Sequence, residues 1–244
     1  LPISLLCAPL REDGVDRVYS LAAERLKTPF MAIDLPNALH FPPRWWEMAR
    51  SDWEALYGTH RIDLMAAQYR GLIAEIERLT GRRLDLDRLR TLLERVNRQE
   101  EYFDEARTMI CEAPRCPVSV AEQMLNAMTA QWHRGGDWAL GHAKAFRDEV
   151  KARVDSGAAA CANERFRLIW IGVGLWQNTE FYSAFEESHG AVFVRSMYLS
   201  LAADGYIKYG LADPVRALGA RYLNIGSQTH IPPWGAEWAV HEAQ

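Results

Sequence analysis

The hydrophobic rhythm of this chain changes twice along its 244 residues. Up to about Pro43, short apolar runs alternate with one amphipathic stretch. Ile3-Ser4-Leu5-Leu6-Cys7 reads as a strand ending at the cysteine. Asp13 or Gly14 then opens a helix in which Val15, Val18, Tyr19, Ala22 and Leu26 recur at three and four positions. Thr28-Pro29 closes it, and Phe30-Met31-Ala32-Ile33 forms the next buried strand. Apolar strands alternating with helices imply parallel pairing, but two strands do not make an independently stable sheet. Residues 1–43 are therefore expected to be the end of an amino-terminal α/β lobe.

From 44 to 154 the period is helical. Met65, Tyr69, Leu72, Ile73, Ile76 and Leu79 share one face, and Gly81 supplies a left-handed stop. Asp85 caps the next helix, marked by Leu86, Leu89, Leu92, Leu93 and Val96; polar residues from Asn97 to Glu101 follow, and Pro114 and Pro117 break the chain. Ser119 precedes a helix carrying Met124, Leu125 and Met128, Gly135-Gly136 interrupts it, and Ala139 to Val154 is a further helix. Asp155 to Asn163 reads as a linker. In 155–244 the alternation returns: a strand from Phe166 to Val173, a helix from Thr179 to Ser188, a strand from Ala191 to Val194, a helix opened by Asp213-Pro214, and a last helix from Trp234. The expected fold class is α/β: two Rossmann- or flavodoxin-like parallel-sheet lobes joined by a helical segment. With two strands in each, both lobes are expected to be incomplete and the chain a fragment; its first residue, Leu1, fits either processing or a start inside a longer reading frame.

Composition narrows the function classes. A net charge of -4 offers no basic field for tracking phosphates, so nucleic acid is not an expected partner. No apolar run reaches the roughly 20 residues of a membrane-spanning helix, and no signal-peptide pattern opens the chain, so a cytoplasmic protein is expected. The four cysteines, Cys7, Cys111, Cys116 and Cys161, form no C-x-x-C pair and are expected to be reduced thiols, those at 111 and 116 in a loop and Cys161 in the linker. Hydrolase elbows, P-loops and paired metal-binding histidines are absent from the sequence. His230 falls in a segment expected to be a loop, where a hydrogen-bonded histidine is the simpler reading than a substrate contact.

Two places remain where chemistry fits. Gly172-Val173-Gly174 ends the clearest strand just before a helix, the edge where open α/β sheets bind ligands. The third glycine of a dinucleotide fingerprint is missing, because Gln177 stands there, and a plain tight turn explains the same spacing. Trp176, Gln177 and Asn178 follow at once; an aromatic wall beside two amides suits a flat or acyl substrate, although such residues also cap helices. Gly172, Gly174, Trp176, Gln177 and Asn178 are thus the candidate substrate contacts. Cys7, at the expected end of its strand, is the second place: a thiolate there suits a soft metal or cluster iron, although a lone cysteine at such a site is commonly a small apolar residue.

The order of segments adds a resemblance. Tyr69 to Asn97, with Ile73-Ala74-Glu75-Ile76-Glu77, the turn Thr80-Gly81-Arg82-Arg83-Leu84 and the Asn97-Arg98 pair, resembles the helical region of the 2-hydroxyacyl-CoA dehydratase and benzoyl-CoA reductase family. Arg165 to Gly172 is similar to that family's basic-led strand, and Glu186 to Val194 to the helix end and strand after it. The resemblance implies an iron–sulfur subunit carrying a [4Fe-4S] cluster, paired with a homologous second subunit and supplied with low-potential electrons by an ATP-dependent activator iron–sulfur protein. It implies an acyl-CoA substrate, undergoing either dehydration or ring reduction. Cys7 matches a cluster ligand of the family, with the remaining ligands expected outside this chain. A non-catalytic cluster-carrying electron-transfer or partner subunit of the same fold, and a nucleotide-binding α/β protein using Gly172 and Gly174, remain as alternatives.

Overall fold

The structure is a computed structural model that describes residues 3–10, 13–36, 42–199, 207–230 and 239–240. It is an α/β protein with, among the described residues, two parallel two-stranded sheets and long helices. By their internal contacts the residues fall into two compact units, one formed by 1–90 with 208–227 and the other by 91–207 with 228–244.

In the first unit, β1 (Leu6–Leu10) pairs with β2 (Phe30–Asp34) in parallel, Leu6 opposite Phe30 and Leu10 opposite Asp34. The strand lies later than its apolar run predicts. Pairing with β2 sets the register, and Pro9 is accommodated because a two-stranded sheet leaves one side of β1 free of ladder bonds among the described residues. Between them, α1 (Asp13–Leu26) packs against β1. Its end is a left-handed Lys27, followed by Pro29, whose carbonyl accepts the Leu6 N–H at 2.9 Å. After α2 (Trp45–Ser51) and α3 (Trp53–Tyr57), α4 (Thr59–Thr80) packs on β2. Its Gln68 amide binds both backbone groups of Asp34, accepting from its N–H at 2.6 Å and donating to its carbonyl at 3.0 Å, a side chain doing the work of a neighbouring strand. Gly81 caps α4 in the left-handed conformation, as its position predicts. The helix Pro214–His230 starts on Asp213, whose carboxylate accepts the Val215 and Arg216 N–H groups. It comes so close to α4 that a Cβ on Gly219 would lie 2.9 Å from the Met65 Cβ.

The capping of α5 (Leu86–Glu112) by Asp85 also holds, its carboxylate accepting from Asp87 and Arg88. The polar stretch after Val96 does not end this helix. Asn97, Gln99 and Glu100 are buried inside it, and Glu100 is fully enclosed with Arg134 at 3.0 Å and the Gln99 amide at 3.3 Å. Charge pairing lets α5 bury what a purely apolar pattern leaves at the surface.

The second unit is organised by the hairpin of α6 (Val120–Trp132) and α7 (Asp137–Ser156). A full capping box opens α6: Ser119 accepts from the Glu122 N–H and Glu122 accepts from the Ser119 N–H. Ala127, Ala130, Ala139 and Ala143 are all in the core and let the two helices approach closely. Of residues 155–163, expected as a linker, the first two end α7, and Cys161 is anchored in this core. Cys161 is buried, Arg115 donates to the carbonyls of Cys161 and Ala162, and Ala160 donates to that of Cys116. The second sheet pairs β3 (Phe166–Trp170) with β4 (Ala191–Ser196) in parallel, with a bulge that leaves Val194 without an opposite residue. Arg167 of β3 donates to the carbonyls of Ile110 and Cys111, satisfying the end of α5.

Candidate functional site

Beyond Trp170 the chain leaves the sheet sooner than its apolar pattern suggests. The expected strand end, Ile171 to Val173, is a turn with Ile171 and Val173 in solvent. Several bonds hold this turn. Trp170 Nε1 donates to the Val173 carbonyl at 3.0 Å, the Leu175 N–H donates to the Tyr182 hydroxyl at 2.9 Å, and the Asn178 N–H donates to the Leu175 carbonyl at 3.0 Å. Gly172 has φ 148°, and a Cβ on Gly174 would meet the Met124 methyl at 2.7 Å. Both glycines thus have structural grounds, one conformational and one of space. Trp176 packs edge-on against Tyr198 with its ring partly in solvent, and Gln177 and Asn178 are exposed beside it. All five candidate substrate contacts therefore share one turn at the carboxyl end of β3.

The crossover to β4 is not the single helix expected from Thr179 to Ser188. It is a 3-10 turn (Thr179–Tyr182) followed by α8 (Glu186–His189), one turn long. Its Phe181, Phe185 and His189, spaced by four, turn toward the sheet face that carries Phe166, Leu168 and Trp170 of β3 and Ala191 and Phe193 of β4. The result is an open cleft of about 700 Å³. Its aromatic wall is interlocked: Trp170 meets Phe181, Tyr182 and Phe193 edge-on, and Phe185 does the same with Phe181 and Phe193, centroids 5.4–6.4 Å apart. Among the described lining residues the one ionisable side chain is His189, whose Nδ1 lies 2.6 Å from the Ser188 hydroxyl, and the Arg165 guanidinium lies over the Phe166 ring at 5.5 Å. The sequence carries the signal for this cleft, in the period of two at 166, 168 and 170 and the period of four at 181, 185 and 189. Attention to the glycine turn alone passes over it.

The thiols are dispersed in character. Cys7 is the second residue of β1, not its last, so about 10 Å of strand separates it from the carboxyl edge at a rise of about 3.3 Å per residue. That corrects its expected placement at a ligand-binding strand end. It is exposed, and partial burial still raises its thiol pKa. Cys111 closes the last turn of α5, where a helix and not a loop holds it, with its sulfur 3.7 Å from Arg195 Nη1. Cys116 is enclosed and donates to the Val118 carbonyl at 3.2 Å; burial pushes its thiol up to about 12. The Cys161 thiol donates to the Glu186 carbonyl at 3.5 Å. Among the described residues, no three His, Cys, Asp or Glu side chains are grouped so as to hold a metal ion. Residues 229 and 230 continue the helix Pro214–His230, so the expected loop around His230 is helical up to that residue; 231–238 lie outside the described residues, and only 239–240 of the expected last helix are described.

The family model for the 2-hydroxyglutaryl-CoA dehydratase D-component matches residues 2–238. The chain belongs to this family. Comparison with curated proteins gives no significant match. For a D-component-family chain the question is whether its own thiols fit an iron–sulfur cluster. The described residues do not fit one by themselves: two thiols are buried donors to carbonyls, Cys111 lies against Arg195, and Cys7 has no companion ligands. Within the described residues, no helix is long and apolar enough to cross a membrane.

Proposed function

We propose that the chain serves as a subunit of a cytoplasmic 2-hydroxyacyl-CoA dehydratase or aromatic acyl-CoA reductase, binding the acyl thioester at the end of β3. The observation that carries this reading is the family match over residues 2–238. In it the chain works with a homologous second subunit and an ATP-dependent activator iron–sulfur protein that delivers low-potential electrons. Cys7 is the one exposed thiol and would give a single ligand to a [4Fe-4S] cluster, the rest coming from beyond the described residues.

What the chain's own residues do is positioning. The turn at Gly172 offers backbone to a bound molecule while buried Gly174 seats the turn against Met124, Trp176 offers a flat apolar wall, and Gln177 and Asn178 offer amides to a thioester carbonyl or the pantetheine chain. The test is calorimetric titration of the protein with acyl-CoA esters, beside a turnover assay with second subunit and activator. Trp176→Ala is expected to weaken thioester binding by about 1 kcal/mol, the scale of a partly buried aromatic contact. Unchanged affinity in that variant removes the turn from the site, and no binding of any thioester removes the functional reading.

A further inference from the structure

The turn that carries the candidate contacts is held from beneath at three consecutive residues. Trp170 Nε1 donates to the Val173 carbonyl at 3.0 Å, and the Tyr182 hydroxyl accepts the Leu175 N–H at 2.9 Å. Between them Gly174 is buried, with no room for a Cβ above the Met124 methyl. A carbonyl, a Cα and an N–H are thus each fixed by a different side chain. The two aromatic holders also brace each other, their rings meeting edge-on with centroids 5.4 Å apart. Tyr182 is fully buried and meets Phe193 of β4 at 5.6 Å, so its hydroxyl has one defined position. Gly172 and Val173 on one side of this seat, and Trp176 to Asn178 on the other, are all exposed. Among the described residues, the N–H groups of Gly172, Val173, Trp176 and Gln177 donate to no protein acceptor and are open to a ligand oxygen. A turn ordered before binding loses little freedom when the ligand arrives.

We propose that Tyr182, with Trp170, is a positioning residue for thioester binding: from inside the core it holds the turn in the geometry that receives the ligand. The proposal rests on the reading that this turn binds the thioester, and it names the side chains through which the turn acts. The Tyr182 ring serves packing, while its oxygen reaches back seven residues to serve the turn. Tyr182→Phe separates the two roles, because it keeps the ring and removes the oxygen.

The experiment titrates the full chain calorimetrically with acetyl-CoA and hexanoyl-CoA, at a temperature where every variant is fully folded. Tyr182→Phe should lower the affinity for both esters about fivefold, the scale of one lost hydrogen bond, and Trp170→Phe should act in the same direction. In the Trp176→Ala background Tyr182→Phe should have a smaller effect, since both residues act through one turn. Amide exchange at Leu175 should quicken about tenfold in Tyr182→Phe while Val192 of β4 keeps its rate. Ser183→Ala, which loses a bond to the Glu180 carbonyl within the crossover, should change neither affinity nor Leu175 exchange. Unchanged Leu175 exchange in Tyr182→Phe would overturn the proposal whatever the thioesters do. Unchanged affinity in Tyr182→Phe, with Trp176→Ala still weakening binding, also overturns it and leaves the turn as the site. No binding of either ester to the unmodified chain defeats the functional reading, and the positioning role with it, even where the exchange result holds.

Discussion

The two strand pairs of this protein share a topology and differ in what crosses between their strands. Each is a parallel pair of short strands with one connection. Between β1 and β2 the connection is a regular helix of 14 residues, packed against β1 with Ala23 buried. Between β3 and β4 it is a turn, a 3-10 segment and a single helical turn. Of the described side chains of the regular helix, Ala23 is buried while Val18, Tyr19, Leu21 and Leu26 are exposed. The irregular crossover presents Phe181 and Phe185, whose rings meet Trp170 and Phe193 of the sheet edge-on and line an open cleft. A parallel pair with a crossover is thus a neutral frame; the regularity of the crossover decides how much of the sheet face is covered.

That contrast can be broken most strongly at the glycines that end helices. Gly190 of the second unit has φ 64°, and a Cβ there would lie 2.1 Å from the Asn163 carbonyl oxygen. Gly190→Val should cost about 4 kcal/mol, combining backbone strain and overpacking, and should disorder β4 as read by chemical denaturation and amide exchange. Gly81 of the first unit has a similar φ of 66° with nothing around it, so Gly81→Ala should cost only about 1 kcal/mol. Equal costs at both would show that conformation alone, and not the close approach of residue 163, governs these turns.

The second unit also depends on a buried charge. Glu100 is fully enclosed and paired with Arg134, so Arg134→Ala should destabilise by about 3 kcal/mol. Arg134→Ala combined with Glu100→Gln should recover part of that loss. No recovery would mean that Arg134 acts through packing of its stem. A smaller effect, about 1 kcal/mol, is expected for Ser119→Ala, which removes half of the capping box of α6.

The smallest effect at neutral pH concerns the thiols and separates the units by chemistry. Burial holds the Cys116 thiol near 12 against a model-compound value of 9.0. Between those values the unfolded chain has released this proton and the folded chain has kept it, so stability falls as pH rises from 9 toward 12. Below 9 both states are protonated and Cys116 adds no pH dependence. Cys116→Ala should flatten that alkaline loss. Exposed Cys7 should react with a maleimide in the native protein long before Cys116 does, and simultaneous labelling would mean that the second unit opens readily.

Much of the frame was legible in the sequence because it rests on local rules. Gly81, Asp85, Ser119 and the Asp213-Pro214 start mark real helix ends, since caps and left-handed stops are chosen within a few residues. Parallel pairing followed from the alternation of strands and helices. The placement of β1 was not legible, because its register is set by a partner strand more than twenty residues away. The continuity of α5 was hidden by Asn97, Gln99 and Glu100, whose burial depends on Arg134, distant in sequence. Of the site, the turn from Gly172 to Asn178 was visible as a glycine-bounded strand end. The cleft beside it is hidden in a linear sequence, because it needs two periods, one on the strands and one on the crossover, brought face to face.

The most direct test of binding at the end of β3 is methyl NMR of the full chain titrated with acyl-CoA esters of different acyl groups. The account predicts that Leu168, Ile169 and Ile171 shift together while Ile33, buried in β2, holds its position. Shifts at Ile33 with the β3 methyls unmoved would place the acyl group at the β1–β2 pair and contradict it.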